Sequence, residues 1–392
     1  MSGLQFGVFD HIENLPDVPL DQIYRDRLVQ IERLDTAGFY AFHLAEHHTP
    51  AVHSMAPSQN VFLAAVAQRT ERLRFGPCVY VLPLHHPLRL IEEISMLDNL
   101  AEGRLEIGVG RGGVLEAFFW GQGSDPEANQ ARYDETLAIV LEGLSHDELT
   151  YEGQFHSFEE VPMRLRAMQQ PYPPLWYMRN PETAARGGMN CVVVGSLDNL
   201  EANVQRYHRI WAETHGEGAL TLQGTEPKIG LVNHIILAET EQEAIDAAKP
   251  AWEAYRWNLS TPRRLEAERR QLTQFIGRRD SGDGATNSTP ERHRALEERR
   301  DLDASLDTLD ADEQVVREQR RHAPGGVGGV VAGTPETIRE YMDEYVSTGA
   351  NYFVASFQWG SLSHEQAMRS VELFATEVMP RYAADLDAVS AD

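Results

Sequence analysis

The sequence predicts an α/β protein folded as a (β/α)8 TIM barrel, a closed ring of eight parallel strands that alternate with helices. Short apolar runs alternate along the chain with longer amphipathic runs, as parallel strands and their crossover helices do. This alternation occurs eight times, and no G-x-G-x-x-G fingerprint of an open dinucleotide-binding sheet follows the first run. A length of 392 residues suits one barrel with insertions.

In the first half of the chain, each predicted strand is followed by a clear helix. Helical spacing puts Ile23 and Ile31 on one apolar face, and Gly38 marks the end of that helix. The predicted strands cover residues 4–9, 39–45, 73–82 and 105–109, and the helices cover 20–37, 59–70, 88–100 and about 130–144.

The second half repeats the pattern less regularly. The predicted strands cover residues 174–178, 191–194, 229–237 and 352–357, with helices from 182, over about 197–214, from Thr334 and over 365–378. Residues 149–158 alternate around Glu152-Gly153 and predict a hairpin.

A charged segment follows the seventh predicted strand. We interpret residues 263–325 as a helical insertion, with a disordered linker as the alternative. Residues 1–382 are then predicted to form one domain, with a tail over 383–392.

Composition restricts the partners and the compartment. With 35 Lys and Arg against 60 Asp and Glu, the formal charge of −25 opposes a nucleic acid or an anionic membrane as partner. No uncharged apolar stretch is long enough for a membrane span, and no leader-like segment opens the chain. Cys78 and Cys191 each lie in an apolar run and are expected to be structural thiols in a reducing compartment. These features favour a cytoplasmic protein.

The active site of such a barrel lies where the strands end. The second strand ends in Glu46-His47-His48, where an imidazole can exchange a proton near neutral pH. Polar filling of the barrel mouth is the alternative. We predict no metal site, since adjacent histidines point in different directions and no acidic or histidine cluster ends another predicted strand.

Three further strand ends carry polar or glycine-rich segments. After the third strand, His85 and His86 are expected to bond loop backbone more readily than to face the pocket. After the fourth, glycines around Arg111 allow close approach of a ligand, and the guanidinium suits a phosphate. After the fifth, residues 178–183 form a helix start that either binds phosphate or is capped by Asn180. Two phosphate-compatible sites point to one phosphate-bearing cofactor.

These segments, in this order, resemble the signature motifs of the bacterial-luciferase-like family of flavin-dependent monooxygenases. The resemblance covers about residues 1–260 and 330–382. The matching segments are 46–48 (EHH), 81–87 (VLPLHHP), 91–104 (IEEISMLDNLAEGR), 108–112 (GVGRG), 150–153 (TYEG), 333–338 (GTPETI) and 374–380 (FATEVMP).

The resemblance implies an enzyme that uses reduced FMN and O2 to oxygenate a small, mostly apolar organic substrate, with a separate NAD(P)H:flavin reductase as flavin supplier. It also implies a homodimer, and a fold in which residues 263–325 can cover the pocket as a lid. His47 matches the catalytic acid/base of the family, and Glu116 lies near an acidic family position. The implied cofactor-binding residues are Glu46 beside the flavin, Cys78 and Val79 at a non-proline cis peptide under it, and Arg111, Arg132 and Thr183 at its phosphate.

The sequence departs from the family at Gly110, which replaces a reactive cysteine of bacterial luciferase. This replacement is expected to widen the pocket. A deazaflavin-dependent oxidoreductase of the same superfamily and a non-catalytic flavin-binding partner subunit are the competing hypotheses. Five predicted pocket residues favour an apolar substrate: Phe9, His11, Tyr80, Trp120 and Trp359.

Overall fold

Parallel strands alternate with helices in the computed structural model of the protein, which describes residues 3–48, 53–270 and 329–383. Ten of the described strands form one sheet, and two form a separate antiparallel hairpin. The strands are β1 (Gln5–Asp10), β2 (Ala41–Leu44), β3 (Arg74–Pro77), β4 (Tyr80–Val81), β5 (Ile107–Gly110), β6 (Glu148–Glu152), β7 (Ser157–Pro162), β8 (Leu175–Met178), β9 (Asn190–Val193), β10 (Ile229–Leu237), β11 (Val330–Gly333) and β12 (Tyr352–Ser356).

The helices follow the strands in the order that the sequence predicts. Gly38 ends the first helix with a φ of 82°, and the side chain of Thr334 accepts the backbone N–H of Thr337 at the start of the ninth. The helices are α1 (Leu20–Ala37), α2 (Gln59–Ala67), α3 (Pro87–Leu100), α4 (Val114–Phe119), α5 (Pro126–Ser145), α6 (Pro181–Arg186), α7 (Leu200–His215), α8 (Glu241–Arg269), α9 (Pro335–Ser347) and α10 (His364–Leu373).

The sheet curls into a barrel because its two ends meet. The strand order is β3-β2-β1-β12-β10-β9-β8-β5-β4, and all of these neighbours are parallel. β4 pairs with β5, and a further parallel bridge joins Phe75 of β3 to Leu105 just before β5. The predicted barrel is therefore confirmed, with β3 and β4 as two parts of one barrel strand.

Three sequence-based expectations about the fold need correction. The third strand does not run unbroken over 73–82, because it is interrupted at the Cys78–Val79 peptide, which is cis. Val330–Gly333 is an additional strand, which pairs with the second half of β10. Residue 263 starts no new segment, since it lies within α8, a helix of 29 residues that begins at Glu241. The rest of the predicted insertion, from 271 to 325, and the tail beyond 383 lie outside the described residues.

Side chains fill the barrel interior, so a ligand site is expected at the rim. The filling cluster draws on most of the barrel strands and consists of Phe9, Ala45, Cys78, Trp176, Val192, Val232, Tyr352 and Val354. Both thiols are free and buried, as the sequence predicts. None of the described helices combines the length and the apolar character that crossing a membrane requires.

Candidate active site

Two strands bring imidazoles together at the carboxyl rim. β1 ends at Asp10, whose Oδ2 lies 2.6 Å from the Nε of Arg27 in a fully buried ion pair. Oδ1 of Asp10 accepts the backbone N–H of Ile12 at 2.7 Å, which fixes the turn that carries His11. The ring of His11 stacks on that of His47, with centroids 5.5 Å apart and planes 20° from parallel. The first two strands thus supply one imidazole each to the same point.

A carboxylate and a guanidinium hold the His47 ring. Nδ1 of His47 lies 3.4 Å from Oε1 of Glu116 and 3.3 Å from Nη2 of Arg263. Nη2 of Arg263 also donates to Oε1 of Glu116, while Oε2 accepts the backbone N–H of Gly113 at 3.0 Å. A guanidinium only donates and a carboxylate only accepts. Both protonation states of Nδ1 therefore find a partner, which suits a group that exchanges a proton.

Glu46 is fully enclosed and bonded on both oxygens. Oε2 accepts the backbone N–H of Val81 at 2.9 Å, and Oε1 accepts Nε2 of His48 at 2.7 Å. Nε2 of His85 lies 3.0 Å from Oε2. Burial opposes ionisation of Glu46, but the charges and hydrogen bonds of His85 and His48 outweigh it and lower the pKa of Glu46. Glu46 therefore ties β2 to β4 at the rim.

His48 and His47 diverge, as expected of neighbours on an extended chain, since His48 contacts Glu46 and the ring of Trp120 at 4.2 Å. The expectation that His85 bonds loop backbone was wrong. Its ring pairs with Glu46, and the negative charge of that carboxylate raises the pKa of His85 against the opposing effect of burial.

The glycines at the end of β5 make room for the neighbouring strand. A Cβ on Gly110 would lie 2.5 Å from Cγ2 of Val79, and one on Gly108 would lie 2.8 Å from the Cα of Cys78. The expected widening of the pocket at Gly110 was therefore wrong, because Val79 occupies that space. The predicted cis peptide between Cys78 and Val79 is confirmed.

Of the two predicted phosphate arginines, Arg132 lies in α5 and Arg111 contacts that helix. Nη1 of Arg111, an exposed residue, donates to Oε1 of Gln130 at 3.2 Å. The guanidinium of Arg132 lies 4.0 Å above the ring of Phe155 in the hairpin, and its buried Nε has no hydrogen-bond partner among the described residues. Glu135 fixes the hairpin turn by accepting the backbone N–H groups of residues 154–156.

Asn180 settles one alternative that the sequence leaves open. Its Oδ1 accepts the backbone N–H of Glu182 at 3.0 Å and that of Thr183 at 3.1 Å, so it caps α6. Those N–H groups are therefore engaged. Within residues 3–48, 53–270 and 329–383, no hydrogen bond joins Thr183 to Arg111 or Arg132. The structure thus brings His47 together with Glu116 and places Thr183 in the first turn of α6.

A dense group of rings, here called the ring cluster, lies beside His47. It consists of His11, His53, His234, Trp252, Tyr255 and Trp359. The ring of His53 lies 4.0 Å from that of His11 and 5.7 Å from that of Tyr255, and the Tyr255 ring lies 4.3 Å from that of His234. Burial lowers the pKa of His11 and of His53 well below the ordinary value, and lowers that of His234 to about 3. Burial thus favours the neutral form of these three imidazoles.

The ring cluster overturns one premise of the sequence argument against a metal. His11 does follow another strand, and the ligating nitrogens of His11, His47 and His53 all lie within 4.8 Å of one another. Ligand nitrogens around a tetrahedral zinc ion are closer, at roughly 3.4 Å, given Zn–N bonds of about 2.0–2.1 Å. The absence of a metal thus stays a prediction.

Sequence reasoning missed Arg263, His53 and His234 as site residues. Arg263 was interpreted only as the start of a charged segment, and its partner Glu116 lies 147 positions away along the chain. No local pattern signals such a contact. His234 and its neighbour Asn233 lie inside the apolar run of β10, where two polar residues were a usable but unused signal.

A parallel α/β barrel that holds an imidazole, a carboxylate and a guanidinium at its carboxyl rim has the form of a barrel enzyme. The chain belongs to the luciferase-like monooxygenase family, whose sequence profile matches residues 4–352.

Sequence relatives agree with this assignment. An uncharacterised protein of Sinorhizobium fredii is 40% identical over 263 residues, which make up 65% of this chain and 73% of that protein. The oxygenase component of the flavin-dependent trigonelline monooxygenase of Acinetobacter baylyi is 26% identical over 251 residues, 62% of this chain and 68% of that protein.

Solved structures share the fold. The oxygenating constituent of 3,6-diketocamphane monooxygenase from Pseudomonas putida, in complex with FMN, matches with a TM-score of 0.67 at 18% identity, covering 97% of this chain and 99% of that one. The coenzyme F420-dependent tetrahydromethanopterin reductase of Methanopyrus kandleri matches with a TM-score of 0.61 at 17% identity, covering 97% and 100%.

Proposed function

We propose that this protein uses reduced FMN and O2 to oxygenate a small organic substrate with a mostly apolar body, and that a separate NAD(P)H:flavin reductase supplies the flavin. Membership of the luciferase-like monooxygenase family supports the reaction class. The relative that is the oxygenase component of a flavin-dependent monooxygenase supports the separate reductase. The observation that carries the proposal is the position of His47 at the carboxyl rim, held between Glu116 and Arg263.

The residues present fit a flavin phosphate on one side of the mouth. The buried Nε of Arg132 has no partner among the described residues, and a buried unpaired donor calls for an acceptor. Arg111 lies at the end of β5, and its only described side-chain bond is to an amide. We assign the phosphate to these two guanidiniums, with Thr183 as a further donor.

Besides binding the phosphate, the side chains of this protein would perform three tasks. When bound, reduced flavin supplies the two electrons and the reaction with O2. His47 holds or releases a proton at Nδ1, because Glu116 and Arg263 support its two protonation states. Glu46 anchors the backbone of Val81. Val81 closely follows Cys78 and Val79, the two residues that we propose contact the flavin ring. Aromatic rings around the mouth exclude water.

A deazaflavin-dependent hydride transfer is the second candidate. Its support is the similarity to a coenzyme F420-dependent reductase over nearly the whole chain, which at 17% identity concerns the fold alone. The homodimer, the cytoplasmic location and a single domain over residues 1–382 also stay predictions.

The test pairs the protein with a flavin reductase, FMN and a panel of organic substrates under ¹⁸O₂. We expect flavin-dependent O2 consumption and one labelled oxygen atom in the product, by mass spectrometry. Oxidation of reduced deazaflavin without O2 uptake would instead support the second candidate.

The role of His47 has its own control. His47→Ala should lower turnover by a factor of about 100 or more, the usual share of a general acid or base, while FMN affinity stays within about twofold. His146→Ala changes an exposed imidazole at the end of α5 and should leave turnover intact. Unchanged turnover of His47→Ala would refute its assigned role.

A further inference from the structure

The ring cluster holds buried polar atoms that the protein itself does not satisfy. Both ring nitrogens of His53, Nε2 of His234 and Nε1 of Trp359 are buried without a hydrogen-bond partner among the described residues. His53 is 2% exposed and Trp359 is 1% exposed. Leaving a buried polar group without a hydrogen bond is energetically costly. Three such side chains within one group of neighbouring rings indicate a ligand that pairs with them.

These atoms belong to one continuous surface. The ring of His234 lies 5.7 Å from that of Trp359 and 4.3 Å from that of Tyr255, and the Tyr255 ring lies 5.7 Å from that of His53. The ring of Trp252 stacks on Tyr255 at 5.2 Å, with planes 15° from parallel. Flat walls with a few polar atoms suit a ring-shaped organic molecule that carries a polar group.

The position of the ring cluster separates it from the proposed flavin contacts. His234 lies in β10 and Trp359 follows β12, whereas Cys78, Val79 and Arg111 lie at the ends of β3 and β5. In the barrel order, β10 and β12 lie across the mouth from β3 and β5. His47, on the strand between these two halves, contacts the ring cluster through His11 and His53. The ring cluster is therefore placed to hold the substrate opposite the flavin.

The charges around the cluster favour an acceptor oxygen with negative charge. Burial is the main cause of the low pKa of His11, and the positive charges of Arg179 and Arg263 lower that pKa further. Arg263 is paired with Glu116, but no ion pair of Arg179 occurs within residues 3–48, 53–270 and 329–383. The indole of Trp359 can only donate, and each neutral imidazole offers one donor. Hydrogen bonds to an ionised oxygen are about twice as strong as neutral ones.

We propose, on the basis of the proposed function, that His53, His234 and Trp359 recognise an ionised oxygen on a cyclic substrate, either a carboxylate or an acidic hydroxyl. This group would lie on the β10–β12 side of the mouth, and the ring would lie against Tyr255. A metal ion fits these imidazoles less well than an anion does. Nη2 of Arg263 lies 3.3 Å from Nδ1 of His47, and its positive charge repels a cation.

The test measures binding rather than turnover. The full chain, loaded with FMN, is titrated with benzoate, cyclohexanecarboxylate, 4-nitrophenol at pH 8, and the methyl ester or ether of each, by calorimetry. We expect at least one ionised probe to bind about tenfold more tightly than its uncharged partner, as for a charge-assisted hydrogen bond. Equal affinities within every pair, or no binding of any ionised probe, would overturn the proposal.

Two conservative variants locate the site. His53→Phe and Trp359→Phe remove the polar atoms and keep a ring, and each should weaken the ionised probe about tenfold while leaving its uncharged partner and FMN unchanged. Trp211→Phe is the matched control, because its Nε1 already donates to the carbonyl of Ala219 at 2.8 Å. If His53→Phe does not fold, probe binding by Trp359→Phe and by the wild type still tests the proposal.

Three outcomes would count against the assignment. Loss of FMN affinity in both variants would show that these atoms bind the flavin. Binding of Zn²⁺ at micromolar concentration, lost in His53→Phe, would show that they bind a metal ion. Probe affinity unchanged in both variants would place the anion elsewhere. An active oxygenase without preference for ionised probes refutes only this inference, whereas selective anion binding without oxygenase activity refutes only the proposed function.

Discussion

Arg263 forms an ion pair with Glu116 across the barrel mouth, although 147 positions separate them along the chain. Glu116 is 2% exposed, and the same guanidinium lies 3.3 Å from Nδ1 of His47. Through this contact α8, which crosses the β10 side of the barrel, reaches the imidazole at the end of β2.

Arg263→Ala should destabilise the protein by about 3 kcal/mol, because it removes the cationic partner of the buried Glu116 carboxylate. It should also lower turnover, since His47 loses the guanidinium beside its Nδ1. Chemical unfolding and steady-state kinetics measure both effects. Arg269→Ala is the control, as its partner Glu266 lies on the same exposed face of α8. Adding Glu116→Gln should recover much of the stability, and a double variant as unstable as the single one would contradict this explanation.

Most of the barrel could be predicted because each strand and helix has a recognisable pattern within its own residues. The apolar run of β10 and the periodic face of α1 are one-dimensional patterns, and both elements form at the predicted positions. The break between β3 and β4 was not anticipated in the strand assignment, since an apolar run looks the same on either side of a cis peptide. Val330–Gly333 was not counted because four residues before a helix cap are a weak strand signal.

The site was predictable only where it lies on contiguous residues. Glu46 and His47 follow one strand and could be found from that position. The contacts of His47 with Arg263, and those of His53 with Tyr255, depend on how α8 packs over the mouth, and no spacing along the chain encodes that. The glycine-rich end of β5 was found correctly, but the close packing of Gly110 against Val79 was not foreseen.

Glu13 should make stability depend on pH. Its Oε1 accepts the backbone N–H of Gly360 at 2.9 Å and its Oε2 accepts Nδ2 of Asn258 at 2.8 Å, so it joins α8 to the loop after β12. Burial raises the pKa of Glu13 from 4.5 to about 7. The folded protein thus keeps this proton where the unfolded chain has lost it, and stability falls as pH rises from 4.5 to about 7.

Glu13→Gln should therefore match the wild type near pH 5 and exceed its stability by up to about 3 kcal/mol at pH 8. Urea unfolding at a series of pH values gives the difference between the two proteins, in which the other titrating groups cancel. Glu253→Gln, at an exposed position of the same helix, should show no such trend. A Glu13→Gln difference that is constant over this range would show that Glu13 titrates normally.

Gly360 should tolerate no side chain. Its φ is +60°, and an added Cβ would lie 1.8 Å from the carbonyl oxygen of Ala251 in α8. Gly224 has a similar φ of +74° with nothing within 4 Å, so it isolates the backbone effect. Gly224→Ala should cost about 1 kcal/mol, and Gly360→Ala about 3 kcal/mol more because a rigid backbone must move. Thermal unfolding measures the loss of stability in both variants. Equal losses would show that the backbone of α8 moves away from the added Cβ at little cost.

Arg132 should distinguish FMN from riboflavin, which lacks the phosphate. Arg132→Met keeps an apolar stem over the ring of Phe155 and removes the guanidinium. We expect FMN affinity to fall by a factor of about 10 to 100, the value of one or two charge-assisted hydrogen bonds, while riboflavin affinity stays unchanged. Fluorescence titration measures both. Arg186→Met is the control, since that exposed side chain pairs with Glu182 within α6. An equal loss of affinity for both flavins would mean that Arg132 supports the hairpin and does not bind the phosphate.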